Sequence, residues 1–457
     1  MSSPSRGTGQ DSKYQSADEN HANQPTGDVA ISRKRKYPPA MKTPLWPRLV
    51  EPRLAEALAD TPVVLIHGPR QCGKTTLAQQ VGGRLGYQYF SLDDASVLDA
   101  ARADPQRFVA ELPSRVVLDE AQRAPGIFPA LKLAVDRGAP PGSFLLTGSS
   151  NILLLPALAD SLAGRMGILR LHPLAQVELA RRRPRFMDAL FDEGFPTGVG
   201  PRLGRALAGR IAAGGFPAAL ARATPRRQAA WRRDYLDALV QRDVRSLARI
   251  ASLEMLPRLL QLAAGQSARL FNASELAAPF QQSRKTIRDY LTLLERVFLL
   301  DELPPWHGNP LSRLVKTPKL HMIDTGLACV LAGHDEASLW QDRQALGRLC
   351  ETFVFQELRR LADGHEEDFR FHHFRDRDGY EVDIVVERGA AQLAGVEVKA
   401  AATVGRADFR GLERLRRAAG ERFRAGVLLY DGEACLPFGP GLRAVPITAL
   451  WEGREEI

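Results

Sequence analysis

Short apolar runs separated by longer amphipathic stretches organise the first third of the chain. Val63-Val64-Leu65-Ile66, Val116-Val117-Leu118 and Phe144-Leu145-Leu146 are apolar throughout, and residues 87–92 have strand composition. Runs this short, with no polar alternation, suit strands buried on both faces. The spacers are helix-sized, so residues 44–180 are expected to form a parallel sheet with helices on either side. After about 200 the period turns helical, and Leu236, Leu239, Val240, Val244 and Leu247 recur on one face of 232–250. A helix-turn-helix pattern follows over 272–298. Ser283 can cap its second helix, whose apolar face is Ile287, Leu291, Leu294 and Phe298. Beyond 340 an α/β pattern returns, with a helix over 346–361 and strands over 369–374, 381–387 and 394–398. A helix near 406–418 and a strand over 425–430 complete it.

Composition alters this picture in a few places. Residues 1–43 hold almost no large apolar side chains, so they are expected to form a disordered tail, with a basic run at Arg33-Lys34-Arg35-Lys36. No stretch of 18 apolar residues and no secretory signal pattern occurs, which points to the cytoplasm and away from a membrane partner. Cys72, Cys329, Cys350 and Cys435 lie far apart and show no zinc-ligand spacing. A net charge of +9 over 457 residues suits a polyanionic partner and equally suits an arginine-rich surface.

The sharpest chemical signal is Gly68-Pro69-Arg70-Gln71-Cys72-Gly73-Lys74-Thr75, followed by Thr76. It fits the phosphate-binding loop pattern and stands between a strand and a helix, where backbone N–H groups and the helix dipole converge on an anion. Lys74 would meet the β- and γ-phosphates of ATP, and the Thr75 hydroxyl would ligate magnesium. Val116-Val117-Leu118-Asp119-Glu120 delivers two carboxylates at the end of a buried strand, where ligands of open α/β sheets sit. Asp119 is expected to hold Mg2+ and Glu120 to orient or deprotonate the attacking water. Ser149 or Asn151, after the strand ending at 147, would contact the γ-phosphate or that water. Arg165 would reach phosphate in its own chain, or act as an arginine finger on a neighbouring copy in a homo-oligomer.

These motifs resemble those of the bacterial and archaeal AAA+-superfamily ATPases that carry a C-terminal domain of unknown function. The likeness continues through Gly214-Gly215-Phe216-Pro217, the segment 270–300 and Pro318-Lys319-Leu320-His321 up to Leu327. It implies a P-loop NTPase parallel sheet over 44–180, a helical lid over 181–265 and a winged-helix segment over 266–335. The remainder, 336–457, is implied to be a restriction-endonuclease-like α/β domain. Cys72 and His321 depart from the aliphatic and aromatic residues usual at their positions.

The C-terminal segment resembles the PD-(D/E)XK nuclease fold, through Asp383 on one strand and Glu397-Val398-Lys399 on the next. Strand alternation puts Glu397 and Lys399 on one face, and a hairpin would bring Asp383 beside Glu397. Asp383 and Glu397, with Glu351 as a further ligand, would then hold magnesium, and Lys399 would position water or stabilise phosphate charge. An inert, structural version of the same fold is the competing expectation. DNA is the candidate macromolecular partner, through Arg284, Lys285 and Arg288 at the start of the second helix of the helix-turn-helix. The functional expectation is an ATP-hydrolysing enzyme acting on nucleic acid. The alternative is a nucleotide-dependent switch with an inert nuclease-like domain.

Overall fold

The computed structural model describes residues 45–149, 162, 164–244, 254–308 and 317–453. The predicted tail and its basic run, and also Asn151, lie outside these residues.

Five parallel strands form the first sheet: β1 (Val63–His67), β2 (Gln88–Ser91), β3 (Val116–Asp119), β4 (Phe144–Gly148) and β5 (Met166–Arg170), in the order β2-β3-β4-β1-β5. The expected parallel sheet is therefore present, with β5 as a strand that the apolar pattern did not reveal. Its burial is half-hearted, since β5 closes an edge of the sheet. Alternate residues of the inner strands enter two cores. Val63, Leu65, Val116, Leu118 and Leu146 meet helices α3 (Ala95–Ala103), α4 (Pro105–Ala110) and α5 (Ile127–Asp136). Val64, Ile66, Val117 and Leu145 face α1 (Glu51–Asp60) and α2 (Lys74–Leu85). Burial on both faces is why these strands read as unbroken apolar runs.

Most of the rest of the chain shares one apolar core, and the outer face of the C-terminal sheet has a second. The shared core draws on α6 (Arg205–Ala213), α7 (Pro225–Ala238), α8 (Met255–Gly265) and the pair α9 (Ala273–Ala277) and α10 (Arg284–Arg296). Ser283 caps α10 by accepting from the Thr286 amide at 3.0 Å, and Ile287, Leu291 and Leu294 are buried as the periodicity requires. Beside this pair lies a small antiparallel sheet with β9 (Lys319–Met322) in the middle, flanked by β7 (Arg269–Leu270) and β8 (Leu300–Leu303).

After α11 (Thr325–Ala332) and α12 (Glu336–Gln341) comes the longest helix, α13 (Arg343–Asp363). It covers one face of a seven-stranded mixed sheet, and α14 (Arg410–Ala419) covers the other. The sheet order is β10-β11-β12-β13-β15-β14-β6. Here β10 is Phe369–Arg375, β11 Glu381–Arg388, β12 Gln392–Lys399, β13 Phe423–Tyr430, β14 Ala434–Gly439 and β15 Leu442–Pro446. The last member, β6 (Gly198–Val199), comes from the segment expected to belong to a helical lid, and it pairs with Ala434 and Cys435 of β14. Part of the expected lid is thus woven into the C-terminal sheet, because an unpaired β14 edge would expose backbone donors and acceptors.

Two stretches picked out by the resemblance meet inside this second part. Gly214 has φ +58°, and a Cβ there would lie 2.3 Å from an Asp324 carboxylate oxygen. Asp324 in turn accepts from the Gly215 amide at 2.7 Å and from the Leu327 amide at 3.0 Å, capping α11. A side chain at 214 must both strain the backbone and displace a buried carboxylate. Gly214→Ala is expected to destabilise the protein by roughly 2 kcal/mol or more. Gly347→Ala, where a Cβ meets nothing within 4 Å inside α13, should be neutral or stabilising. Chemical denaturation of the two variants beside the parent compares them directly.

Candidate functional site

The phosphate-binding loop turns between β1 and α2. Gly68 has φ +150°, and a Cβ on it would sit 2.2 Å from the Leu171 carbonyl oxygen, so only glycine fits. Gly73, at φ +106°, opens α2, leaving the first helical amides aimed out of the loop. Lys74 is buried and its Nζ donates to the Gly68 and Pro69 carbonyls at 3.0 and 2.7 Å, which places an ammonium at the mouth of the cradle. The loop is braced from behind. Arg48 donates to the Cys72 carbonyl at 2.8 Å and the His172 carbonyl at 2.6 Å, and its guanidinium pairs with Glu178 at 3.1 Å. The Cys72 thiol, fully buried, donates to the Leu171 carbonyl at 3.3 Å. Cys72 is thus a packing residue whose polar hydrogen is used. On the open side, the Tyr235 hydroxyl of α7 donates to the Arg70 carbonyl at 3.3 Å.

His67, the last residue of β1, is buried against Phe298 with ring centroids 5.5 Å apart. Burial, then the neighbouring charges of Arg170, His172 and Lys74, push its pKa down to about 3, so the imidazole is neutral beside the loop.

Asp119 is buried at the end of β3 and gathers hydroxyls from three elements. Its Oδ1 accepts from Thr75 of α2 at 2.9 Å and from Thr147 of β4 at 2.6 Å, and its Oδ2 accepts from Tyr89 of β2 at 2.8 Å. Burial, and then the Asp119 charge, raise the Tyr89 pKa, keeping the phenol protonated as a donor. Glu120 follows in the left-handed region (φ +58°), an uncommon conformation for a residue with a side chain. Its amide donates to Thr147 Oγ1 at 3.0 Å. Its carboxylate accepts from Ser149 Oγ at 2.9 Å and from Gln122 Nε2, and Gln122 Nε2 also donates to Ser149 Oγ at 2.9 Å. Thr75, Asp119, Glu120 and Ser149 therefore stand together beside the loop.

Arg165 stands elsewhere. The parallel register pairs Val63 with Met166, so Arg165 precedes β5 at the sheet edge opposite the loop. Five strand residues, roughly 16 Å, separate the two edges. Arg165 is ion-paired with Asp136 at 2.8 Å, so the expectation that it contacts phosphate in its own chain does not hold.

The C-terminal residues converge, with an unforeseen member. The β11–β12 hairpin pairs Arg388 with Gln392 and Ile384 with Val396, which brings Asp383 to the Glu397 side as expected. Asp383 Oδ2 accepts from the Val398 amide at 3.0 Å. Lys319, from the central strand β9, donates its ammonium to Asp383 Oδ1 at 3.1 Å and to Glu351 of α13 at 2.6 Å. Lys399 pairs with Glu397 at 2.7 Å. Burial, and then the Asp383 charge, push Glu397 up to about 8 and Glu351 well above the ordinary carboxylate range. Burial acts in the same direction on Asp383, but Lys319 and Lys399 overcome it and hold its pKa below the usual value. Among the described residues no group of three His, Cys, Asp or Glu side chains is placed to hold a metal ion. A lysine ammonium thus stands between Glu351 and Asp383, two of the expected magnesium ligands.

Comparison with known proteins follows this layout. Residues 60–180 match the family described as AAA domain. Residues 204–338 and 346–450 match two families described as domains of unknown function, DUF8612 and DUF4143. Two curated mycobacterial proteins, Uncharacterized protein Mb2031c of Mycobacterium bovis and Uncharacterized protein Rv2008c of Mycobacterium tuberculosis, are each 30% identical over 402 residues. The aligned region covers 87% of this chain and 83% of each of theirs. The chain belongs to their family, an AAA-type P-loop ATPase family with a C-terminal DUF4143 domain. Among solved structures, the Walker-type ATPase paby2304 of Pyrococcus abyssi is 15% identical, covering 62% of this chain and 94% of its own, with a TM-score of 0.36. The Thermotoga maritima RuvB Holliday junction branch migration motor is 20% identical, covering 56% and 89%, with a TM-score of 0.25. No helix among the described residues is long and apolar enough to cross a membrane.

Several side chains beside the phosphate-binding loop were not singled out by the sequence motifs. Thr147 and Gln122 lie inside the matched stretches, where their spacing from Asp119 and Glu120 could have singled them out. Arg48, Tyr89 and Tyr235 carry no local signal, because their roles exist only after the chain has folded. The brace by Arg48 yields a test. Truncating Arg48 removes charge-assisted hydrogen bonds to two buried carbonyls, an effect of about 1.5–3 kcal/mol. Arg48→Ala is expected to weaken nucleotide binding by roughly tenfold or more in equilibrium titration with a fluorescent ATP analogue.

Proposed function

We propose that the protein is a magnesium-dependent ATP hydrolase that works as a nucleotide-driven switch. The observation that carries this reading is the cluster of Thr75, Asp119, Glu120 and Ser149 beside an open glycine cradle. The donor set fits magnesium: a hydroxyl and a carboxylate, both hard oxygens, stand 2.9 Å apart at the start of the cradle helix. Bound between Thr75 and Asp119, the ion would neutralise phosphate charge.

The loop amides from Arg70 to Thr76 hold the triphosphate, and the Lys74 ammonium exchanges its two loop carbonyls for phosphate oxygens. Glu120, held by Ser149 and Gln122, accepts a proton from the attacking water. Its constrained backbone and two side-chain donors orient the carboxylate before substrate arrives. Arg165, on the far edge of the sheet, would serve only another copy of the chain.

Two groups of contacts support a switch. Tyr235 touches the Arg70 carbonyl, so a loop that closes on nucleotide pulls on α7. The segment behind the loop, 170–176, is bonded to α13. Asp301 pairs with Arg170 at 3.0 Å and with Arg359 at 2.6 Å, and His172 with Asp363 at 2.7 Å. Glu357 of α13 accepts from the Gln176 amide at 2.7 Å. Because Lys319 occupies the carboxylate cluster, the inert form of the nuclease-like domain is the better supported one.

Nucleic acid remains the second reading for the partner, favoured by the exposure of Arg284, Lys285 and Arg288 at the start of α10. Replacing Arg284 and Lys285 together by alanine should weaken DNA binding across sequences and lower the salt dependence by up to about two counterions.

Steady-state turnover and equilibrium binding of ATP test the main reading. Glu120→Gln is expected to keep nucleotide affinity while turnover falls roughly 100-fold or more. Lys74→Ala is expected to lose affinity itself. Absence of magnesium-dependent turnover in the parent protein, or parental turnover in Glu120→Gln, would contradict the proposal.

A further inference from the structure

The C-terminal acid cluster holds three carboxylates from three elements, Glu351 on α13, Asp383 on β11 and Glu397 on β12, with two ammonium groups among them. Lys399 belongs to the same strand as its partner Glu397. Lys319 does not belong to this sheet at all. It comes from β9, the central strand of the small sheet beside the helix-turn-helix pair, 64 residues before Asp383 in the chain. Its own strand is bonded on both edges: Lys319 pairs in register with Leu303 of β8 and with Leu270 of β7, and the flanking Pro318 carbonyl accepts from Phe271. The residue is 3% exposed, so its aliphatic stem is packed and its charge has no solvent to fall back on.

We propose that Lys319 is the resident cation of this acid cluster, an internal lock that fastens the small β7-β9-β8 sheet to the C-terminal sheet and makes the site independent of divalent metal. The geometry favours this over an incidental ion pair. One ammonium bridges carboxylates from two different elements, at 2.6 and 3.1 Å, and so satisfies both at once. Charge sums agree: three carboxylates face two built-in cations, so little is left for a dication to gain, and a dication at Asp383 and Glu351 would meet the ammonium head-on. Neighbouring contacts reinforce the same seam. Thr352, next to Glu351, bonds Ser267 at 2.8 Å and the His321 ring at 3.1 Å, and the Trp306 indole donates to Glu387 of β11 at 2.9 Å. Withdrawal of β9 would take the shared ammonium from Glu351 and Asp383 together, so the lock opens only if the small β7-β9-β8 sheet moves as a unit. This inference does not rest on ATP hydrolysis and stands or falls separately from it.

Thermal unfolding of the full chain tests the lock. Lys319→Met keeps the stem and removes the charge, and its melting temperature is expected to fall by roughly 5 °C or more, because a buried pair loses one member. Adding Glu351→Gln to Lys319→Met removes one of the stranded carboxylates and is expected to restore a substantial part of that loss. In parallel, Mn2+ added to the nucleotide-free parent and followed by electron paramagnetic resonance should show no uptake that depends on Asp383. The proposal is overturned by a Lys319→Met protein that melts with the parent, or by a double variant no more stable than the single one. Mn2+ binding by the parent that Asp383→Asn abolishes would overturn it equally, and that arm needs no variant at 319 to fold.

Discussion

Asp119 places a carboxyl group at the buried end of β3, and left without partners there it would destabilise the fold by several kcal/mol. The chain answers with hydroxyls rather than with a cation. Thr75, Thr147 and Tyr89 each donate one hydrogen bond, and they come from the helix after the loop and from the strands on either side of β3. That single carboxylate therefore aligns the C-terminal ends of β2, β3 and β4 with the start of α2. Its partners in these contacts are neutral hydroxyls, so no ammonium among them competes with a metal ion for the carboxylate. Glu120 inherits its position from the same knot, because its amide bonds the Thr147 hydroxyl that Asp119 also holds.

The second organising element is α13. Apolar side chains along it join the helical segments and the C-terminal sheet in one core, while its polar side chains reach the other parts of the chain. Glu351 meets Lys319, Gln356 and Arg359 meet Asp301, Glu357 and Arg360 meet the backbone of 174–176, and Asp363 meets His172. Segment 170–176 lies directly behind the phosphate loop, so one helix touches both the back of the nucleotide site and the acid cluster. Buried charge pairs tolerate little misplacement, because separating them strands a charge in a low dielectric. A shift at one end of α13 would strain these pairs at the other, and that is the physical route the proposed switch requires.

How much of this was legible in the chain depends on where each signal resides. The P-loop and the Asp119 strand were readable because their chemistry is local: glycine at positive φ, a lysine and a hydroxyl opening a helix, an apolar run ending in acid. The helix-turn-helix was readable from the Ser283 cap and the period of Ile287, Leu291 and Leu294. Strand β5 was not, since an edge strand with Met166, Gly167 and Arg170 lacks an apolar run, and the error carried over to Arg165, whose side of the sheet follows from the direction of β5. The convergence of Asp383 and Glu397 followed from strand alternation, but the Lys319 ammonium between Asp383 and Glu351 could not, because nothing in Pro318-Lys319-Leu320 points to a carboxylate 64 positions away. The departure at His321 proved mild: burial holds its imidazole neutral, and it packs on Phe355 at 4.5 Å between ring centroids, as an aromatic would.

The central claim is that Thr75 and Asp119 form the metal-holding side of a nucleotide cradle. Electron paramagnetic resonance of Mn2+ with ATP and the full chain addresses it without relying on turnover. The account requires one Mn2+–nucleotide complex per chain, with phosphorus couplings from the bound triphosphate, and its loss or marked weakening in Asp119→Asn at unchanged secondary structure. An Asp119→Asn protein that holds Mn2+–ATP as the parent does, or a parent that holds none, would contradict it.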